Sequence, residues 1–144
     1  MPNSVQETVE LRLRTMRTLW FALFATVGIY YAFTIFRGGA EDREPNPTLS
    51  LILIVIGVST TLISFVIKSK LINLAIEKQR VQLVQQAYIV AWAMTEVAAL
   101  LGMLDFFATG HRHYYILFII AACGMLLHAP RREHVVNAWP KTKL

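Results

Sequence analysis

The sequence predicts an all-α fold, an integral membrane four-helix bundle with both ends on the cytoplasmic side and a short interfacial helix at its N-terminus. Three observations carry that prediction. Of 144 residues, 56% are hydrophobic and the mean hydropathy is +0.49, too apolar for a soluble core of that size. The apolar residues gather in four runs, Leu19 to Phe36, Leu49 to Ile67, Ala87 to Phe107 and Tyr114 to Ala129, against the roughly 20 residues that a bilayer core requires of a helix. The basic residues are distributed unequally on the two sides of those runs.

Residues 4–17 form the expected arm. Ser4 followed by Glu7 fits a capping box, and Val5, Val9, Leu13 and Met16 recur at helical spacing beside Arg12, Arg14 and Arg17. Such an arm lies along an anionic membrane surface or docks on a partner. The first apolar run, 19–36, is longer than the ~7–15 residues of a signal-peptide core and has no small-x-small cleavage site, so it is expected to remain as an anchor. Gly38, Gly39, the acidic Glu41, Asp42 and Glu44, and then Pro45 and Pro47 break the chain before the second run, 49–67. From Lys68 to Gln86 there is no Gly or Pro, and Leu71, Leu74, Ile76, Glu77 and Lys78 favour helix, so the second and third runs should extend beyond the membrane as a helical hairpin. After the third run, 87–107, a brief turn from Ala108 to His113 makes the third and fourth helices adjacent and antiparallel. The fourth run, 114–129, gives only about 24 Å of helix and spans with local thinning or snorkelling from Arg112, Arg131 and Arg132. No internal repeat is evident: the Ser/Thr cluster of the second helix has no counterpart in the fourth, against a transporter of inverted repeats.

Orientation follows from charge. Arg12, Arg14 and Arg17, then Lys68, Lys70, Lys78 and Arg80, then Arg131, Arg132, Lys141 and Lys143 fall on one side, eleven in all, while Arg37, Arg43 and Arg112 fall on the other. The positive-inside rule places both termini and the middle segment in the cytoplasm, as in a plasma or inner membrane of prokaryotic type. Because the charge is dispersed at helix ends, the pI near 9.7 reads as topology and no nucleic-acid partner is expected.

The sharpest chemical feature is Glu96, about 14 Å into the third run and so near the bilayer centre. An ionised carboxylate there costs at least ~2.5 kcal/mol, which makes it a neutral, paired or water-facing group. Successive rotation by 100° places Ala91, Thr95, Ala98 and Gly102 in one narrow stripe suited to close helix packing, with Glu96 roughly 130° away among Ile89, Trp92, Ala99 and Met103. Asp105 faces about 180° from Glu96, so the two acids form no catalytic pair. Ser59, Thr60 and Thr61 of the second helix lie at similar depth and are the expected hydrogen-bond partners of Glu96, with Thr95 beside it; a functional proton site and a bond to another chain are the alternatives.

The stretch Tyr88-Ile-Val-Ala-Trp-Ala-Met-Thr-Glu-Val-Ala-Ala-Leu-Leu-Gly-Met-Leu104 resembles the carboxylate-bearing helix of the rotary ATP synthase proteolipid, in which an acid is followed after several residues by Gly. The resemblance implies a proton-carrying role for Glu96 and a packing role for Gly102. It covers seventeen residues of one helix; the second run has only Gly57 where that family has a glycine ladder, and the polar loop lacks the family's Arg-Gln-Pro.

Other candidates carry less. His111 and His113 could hold a metal only with Asp105 as a third ligand, so no metal is expected and the pair reads as exposed. His113 and His128 are about 22 Å apart along one helix, too far for one haem. Cys123, alone in the fourth run, forms no internal disulfide. Trp20, Tyr30, Tyr31, Tyr88, Tyr114 and Tyr115 lie mostly near helix ends, as an aromatic belt requires. Without a phosphate-binding loop, nucleophile elbow or Cys/His cluster, neither an enzyme nor a cofactor is expected. The expected function is that of a small accessory or structural subunit whose partners are the lipid bilayer and other membrane-protein subunits. The alternative is a proton-binding component of a transport or energy-coupling machine using Glu96.

Overall fold

The computed structural model describes residues 3–37, 46–109 and 113–140, and these are helical apart from short turns and caps. Among the described residues five helices follow one another: α1 (Asn3–Arg37), α2 (Pro47–Glu77), α3 (Val81–Thr109), α4 (Tyr115–Leu127) and α5 (Arg132–Asn137). The expectations placed on 38–45, on His111 and Arg112, on Lys141 and Lys143, and on the side chains of Ser4 and Val5 lie outside the described residues.

The α2–α3 hairpin is the frame. On α2 the buried positions are Ser50, Leu53, Gly57, Thr61, Ser64, Lys68, Ile72 and Ala75, and on α3 they include Val81, Val84, Tyr88, Ala91, Thr95, Ala98, Gly102, Asp105 and Thr109. The α3 series alternates steps of three and four and the α2 series repeats three, four, four; both stay close to the helical period, which keeps one seam facing its partner along the whole of a long helix. The predicted stripe of Ala91, Thr95, Ala98 and Gly102 is the middle of that seam.

The chain reverses between α2 and α3 without Gly or Pro. The Arg80 amide donates to Ala75 O at 2.9 Å and the Gln79 amide to Ile76 O at 3.3 Å, with Gln79 at φ +50°. This is a Schellman ending with glutamine in the left-handed position. Gln79 offsets part of its steric cost by donating from its side chain to Ile76 O at 2.8 Å.

Two expected elements are corrected. The arm and the first apolar run are one helix, because nothing between Arg17 and Leu19 breaks the backbone pattern; α1 has 35 residues, about 52 Å at 1.5 Å per residue. Its Val9, Leu13 and Met16 are buried and its first turns pack on α5, so the arm docks on its own chain. Arg14 and Arg17 remain exposed and Arg12 is half-buried. The fourth run is a helix of only 13 residues, about 20 Å. Among the described residues three helices are long and apolar enough to cross a membrane, and α4 is not one of them. Pro130 explains its early end, since the residues before a proline leave the α region. Two indoles satisfy carbonyls at that end: Trp20 Nε1 donates to Met125 O at 2.8 Å and Trp92 Nε1 to His128 O at 3.0 Å.

α4 nevertheless runs antiparallel beside α3, as its short connection predicts. The Tyr114 and Phe106 rings meet at 4.9 Å, and Gly124 lies against α2 and α3 together. A Cβ at Gly124 would stand 2.7 Å from Thr95 Cγ2 and 2.8 Å from Thr61 Cγ2. The remaining helix surfaces are strongly apolar: Phe21, Ile29, Phe36, Leu51, Val55, Leu62, Val66 and Leu104 are all exposed, which suits a hydrocarbon environment better than water.

Candidate functional site

Polar groups concentrate at the two ends of the hairpin seam. At the end where α2 runs out, Lys68 is buried at 8% exposure, with its ammonium 3.4 Å from His128 Nδ1 and 4.4 Å from the centre of the Tyr88 ring. The imidazole is held by Ser64 Oγ, 2.7 Å from Nε2, and by the Phe65 ring at 4.2 Å. Ser64 in turn donates to Thr61 O at 2.6 Å. One assignment satisfies the imidazole and the hydroxyl: Lys68 donates to Nδ1, His128 donates from Nε2 to Ser64, and Ser64 donates to the backbone.

A second relay adjoins the first. The amide of Arg131 donates to the Tyr88 hydroxyl at 3.0 Å, and that hydroxyl donates to His134 Nδ1 at 2.7 Å. His134, on α5, has its pKa lowered from 6.5 by burial first and then by the positive charges of Lys68 and Arg131, against a smaller opposing effect of Glu133. Its imidazole is therefore neutral at pH 7, with Nδ1 accepting and Nε2 carrying the proton. Lys68, Arg131 and His134, together with Phe65, Ser69 and Asn73, line a groove of about 340 Å³ between α2 and the α4–α5 connection. No carboxylate of the described residues lines it.

The other end of the seam holds the buried acid. Asp105 is fully buried; Ser50 Oγ donates to its Oδ2 at 2.9 Å and Thr109 Oγ1 approaches its Oδ1 at 2.7 Å. Here α2 begins, with the Asn46 side chain capping Leu49 N at 3.1 Å and the Asn46 amide donating to Thr109 O at 3.0 Å. Asp105 thus joins the start of α2 to the end of α3, and it has no His neighbour in a metal-binding group among the described residues.

The residues singled out from sequence are not brought together. Glu96 lies half-buried on the α1 flank of α3, outside the tightest seam as its rotation predicts, and accepts a long hydrogen bond of 3.3 Å from the Tyr30 hydroxyl. Its expected partners are elsewhere: Ser59 is exposed, Thr60 donates to Ile56 O at 2.7 Å, and the buried Thr61 hydroxyl has no partner among the described residues. Thr95 faces the seam and donates to Ala91 O at 2.8 Å. Arg12, Arg14 and Arg17 share the Lys68 end with the Arg132–Glu10 ion pair, whose N–O distance is 3.2 Å. Cys123 is exposed on α4.

Sequence reasoning passed over the Lys68–His128–Tyr88–His134 cluster, although one signal pointed to it: Lys68 continues the three-four spacing of Gly57, Thr61 and Ser64. The chain matches no family model, and comparison with the curated proteins and with the solved structures found no match.

Proposed function

We propose that this chain is a small accessory or structural subunit embedded in the plasma or inner membrane of a prokaryotic cell, where it packs against a larger membrane-protein assembly. The observation that carries this reading is the unequal burial of the apolar helices. The most apolar stretch of α1 is 11% buried, against 28% in α2 and 44% in α3. Beside α1 an apolar groove of about 300 Å³ runs along Phe24, Val27, Gly28 and Tyr31 on one side and Phe118 and Ile119 on the other. A Cβ at Gly28 would meet nothing within 4 Å, so a helix of another subunit has room to approach the α1 backbone closely. The eleven basic residues on one side support an arrangement with the N-terminus, the α2–α3 turn and α5 in the cytoplasm.

The test is extraction of the tagged protein from native membranes in mild detergent, with identification of the chains that stay bound. Specific co-purifying membrane subunits are expected, and Gly28→Leu should release them without lowering the protein's own unfolding temperature. Recovery of the wild-type chain alone, or equal retention by Gly28→Leu, counts against the role. Topology is read separately by single cysteines at Ala40 and Lys78 in a Cys123→Ser background: Ala40 should react with an impermeant thiol reagent in intact cells and Lys78 should not.

The Tyr30–Glu96 contact favours one second reading, a proton-binding component of a coupled machine. A carboxyl beside a phenol at mid-depth is poised to exchange a proton if water reaches it. Glu96→Gln should then abolish coupled activity with assembly intact, whereas an active Glu96→Gln complex leaves Glu96 a structural acid.

A further inference from the structure

We propose that the groove at the Lys68 end is a binding site for the phosphate of an anionic membrane lipid, an inference that rests on placement of the chain in a bilayer. The unexplained group is the Lys68 ammonium. Of its three N–H donors, one is taken by His128 Nδ1, and the others have only the face of Tyr88 and the groove. No carboxylate among the described residues pairs with it. A buried cation without an anion is strongly disfavoured, and a phosphate in the groove supplies the missing charge together with several acceptor oxygens.

The neighbouring side chains fit that ligand. His134 accepts at Nδ1 from Tyr88, so its Nε2–H remains a donor. Arg131, whose amide is fixed by Tyr88, adds a guanidinium, and Ser69 and Asn73 add uncharged donors. Phe65, Ile72 and Leu127 give the same groove an apolar wall, as a molecule with both a phosphate and acyl chains requires. Glu133 is exposed and outside the lining.

Depth identifies the phosphate as that of a lipid. Ser50, which donates to the buried Asp105, and Lys68 are eighteen residues apart on α2, about 27 Å along the helix, close to the ~30 Å hydrocarbon thickness of a bilayer. The two polar clusters therefore stand at its two boundaries, and the groove opens at headgroup level on the side that carries Arg14, Arg17, Lys70, Lys78, Arg80 and Arg132. Basic residues there attract anionic lipid.

The full chain is reconstituted in nanodiscs of phosphatidylcholine, with and without phosphatidylglycerol, and followed by thermal unfolding and by native mass spectrometry of retained lipid. Phosphatidylglycerol should raise the unfolding temperature and stay bound to the wild-type protein. Lys68→Met and Arg131→Gln should each lower that retention by about fivefold, and Lys68→Arg should restore most of it. In phosphatidylcholine alone Lys68→Met should unfold at or above the wild-type temperature, which separates lost binding from lost folding. Equal phosphatidylglycerol retention by wild type, Lys68→Met and Arg131→Gln would overturn the site. Stabilisation by millimolar inorganic phosphate equal to that by phosphatidylglycerol would overturn its assignment to lipid. Recovery of the protein from cells as a detergent-free soluble species would instead overturn the membrane placement.

Discussion

The two ends of the α2–α3 seam each bury an ionisable side chain, an acid at one and a base at the other, and partner them differently. At one end Asp105 is closed in by Ser50 and Thr109, so the acid is satisfied within the chain and acts as a clasp between the start of α2 and the end of α3. At the other end Lys68 meets an imidazole and an aromatic face, with no acid of the described residues beside it and an open groove next to it. Burial of an ionisable group is thus a poor guide to its use until its partners are counted. A group whose partners are all internal holds the fold together, and one whose partners are incomplete points outward to a ligand.

Variants at the two ends and at the seam between them should separate these roles. The largest loss is expected from Gly124→Leu, because even its Cβ would fall within 2.8 Å of the Thr61 and Thr95 methyls. Overpacking there should destabilise by about 3 kcal/mol and loosen α4 from both hairpin helices, read as a lower unfolding temperature and faster hydrogen exchange in α4.

Next is the contrast between the ends themselves. Asp105→Leu strands the buried Ser50 hydroxyl and should cost about 2 kcal/mol, with Asp105→Asn costing about half as much because a rotated hydroxyl still finds an acceptor. Lys68→Met at the opposite end should cost nothing in neutral lipid. If both leucine and methionine variants destabilise equally, the difference drawn between clasp and ligand site is lost.

Tyr88→Phe removes the acceptor of the Arg131 amide and the donor to His134, and should destabilise by about 1 kcal/mol, with the effect confined to α5. Limited proteolysis would show it as cleavage within 131–139 at a rate the rest of the chain does not share. The smallest effect is that of pH. The His134 pKa in the fold lies below 6.5, so the folded state binds fewer protons than the unfolded one. Its stabilising contribution is whole above pH 6.5 and is lost as the pH falls from there through the folded value. Replacing His134 by Phe should flatten that part of the stability profile, measured by unfolding between pH 5 and 7.

The apolar runs, the uninterrupted hairpin and the side of α3 from which Glu96 projects were all determined by the sequence alone. Each is a consequence of local composition or of a fixed helical rotation. The stripe from Ala91 to Gly102 was readable for the same reason, since small residues at three-four spacing fit only a close seam. The Schellman turn at Gln79 was not readable, because glutamine is no marker of a left-handed residue. Pro130 was visible, yet the fourth run looked longer than α4 because hydropathy continues past the point where the backbone leaves the helix.

Only the tertiary structure decided which polar groups meet. The partner of Glu96 is Tyr30, 66 positions away, rather than a hydroxyl chosen for its depth on α2, because depth fixes height in a bundle and leaves the facing helix open. Nothing in the sequence linked His128 or His134 to Lys68, for the same reason: the groove that Lys68 shares with His134 exists only because α4 stops short and the Arg131 amide docks α5 onto Tyr88. Helical periodicity assigns each residue a face within its own helix, and the register between helices, which only packing sets, determines what that face touches.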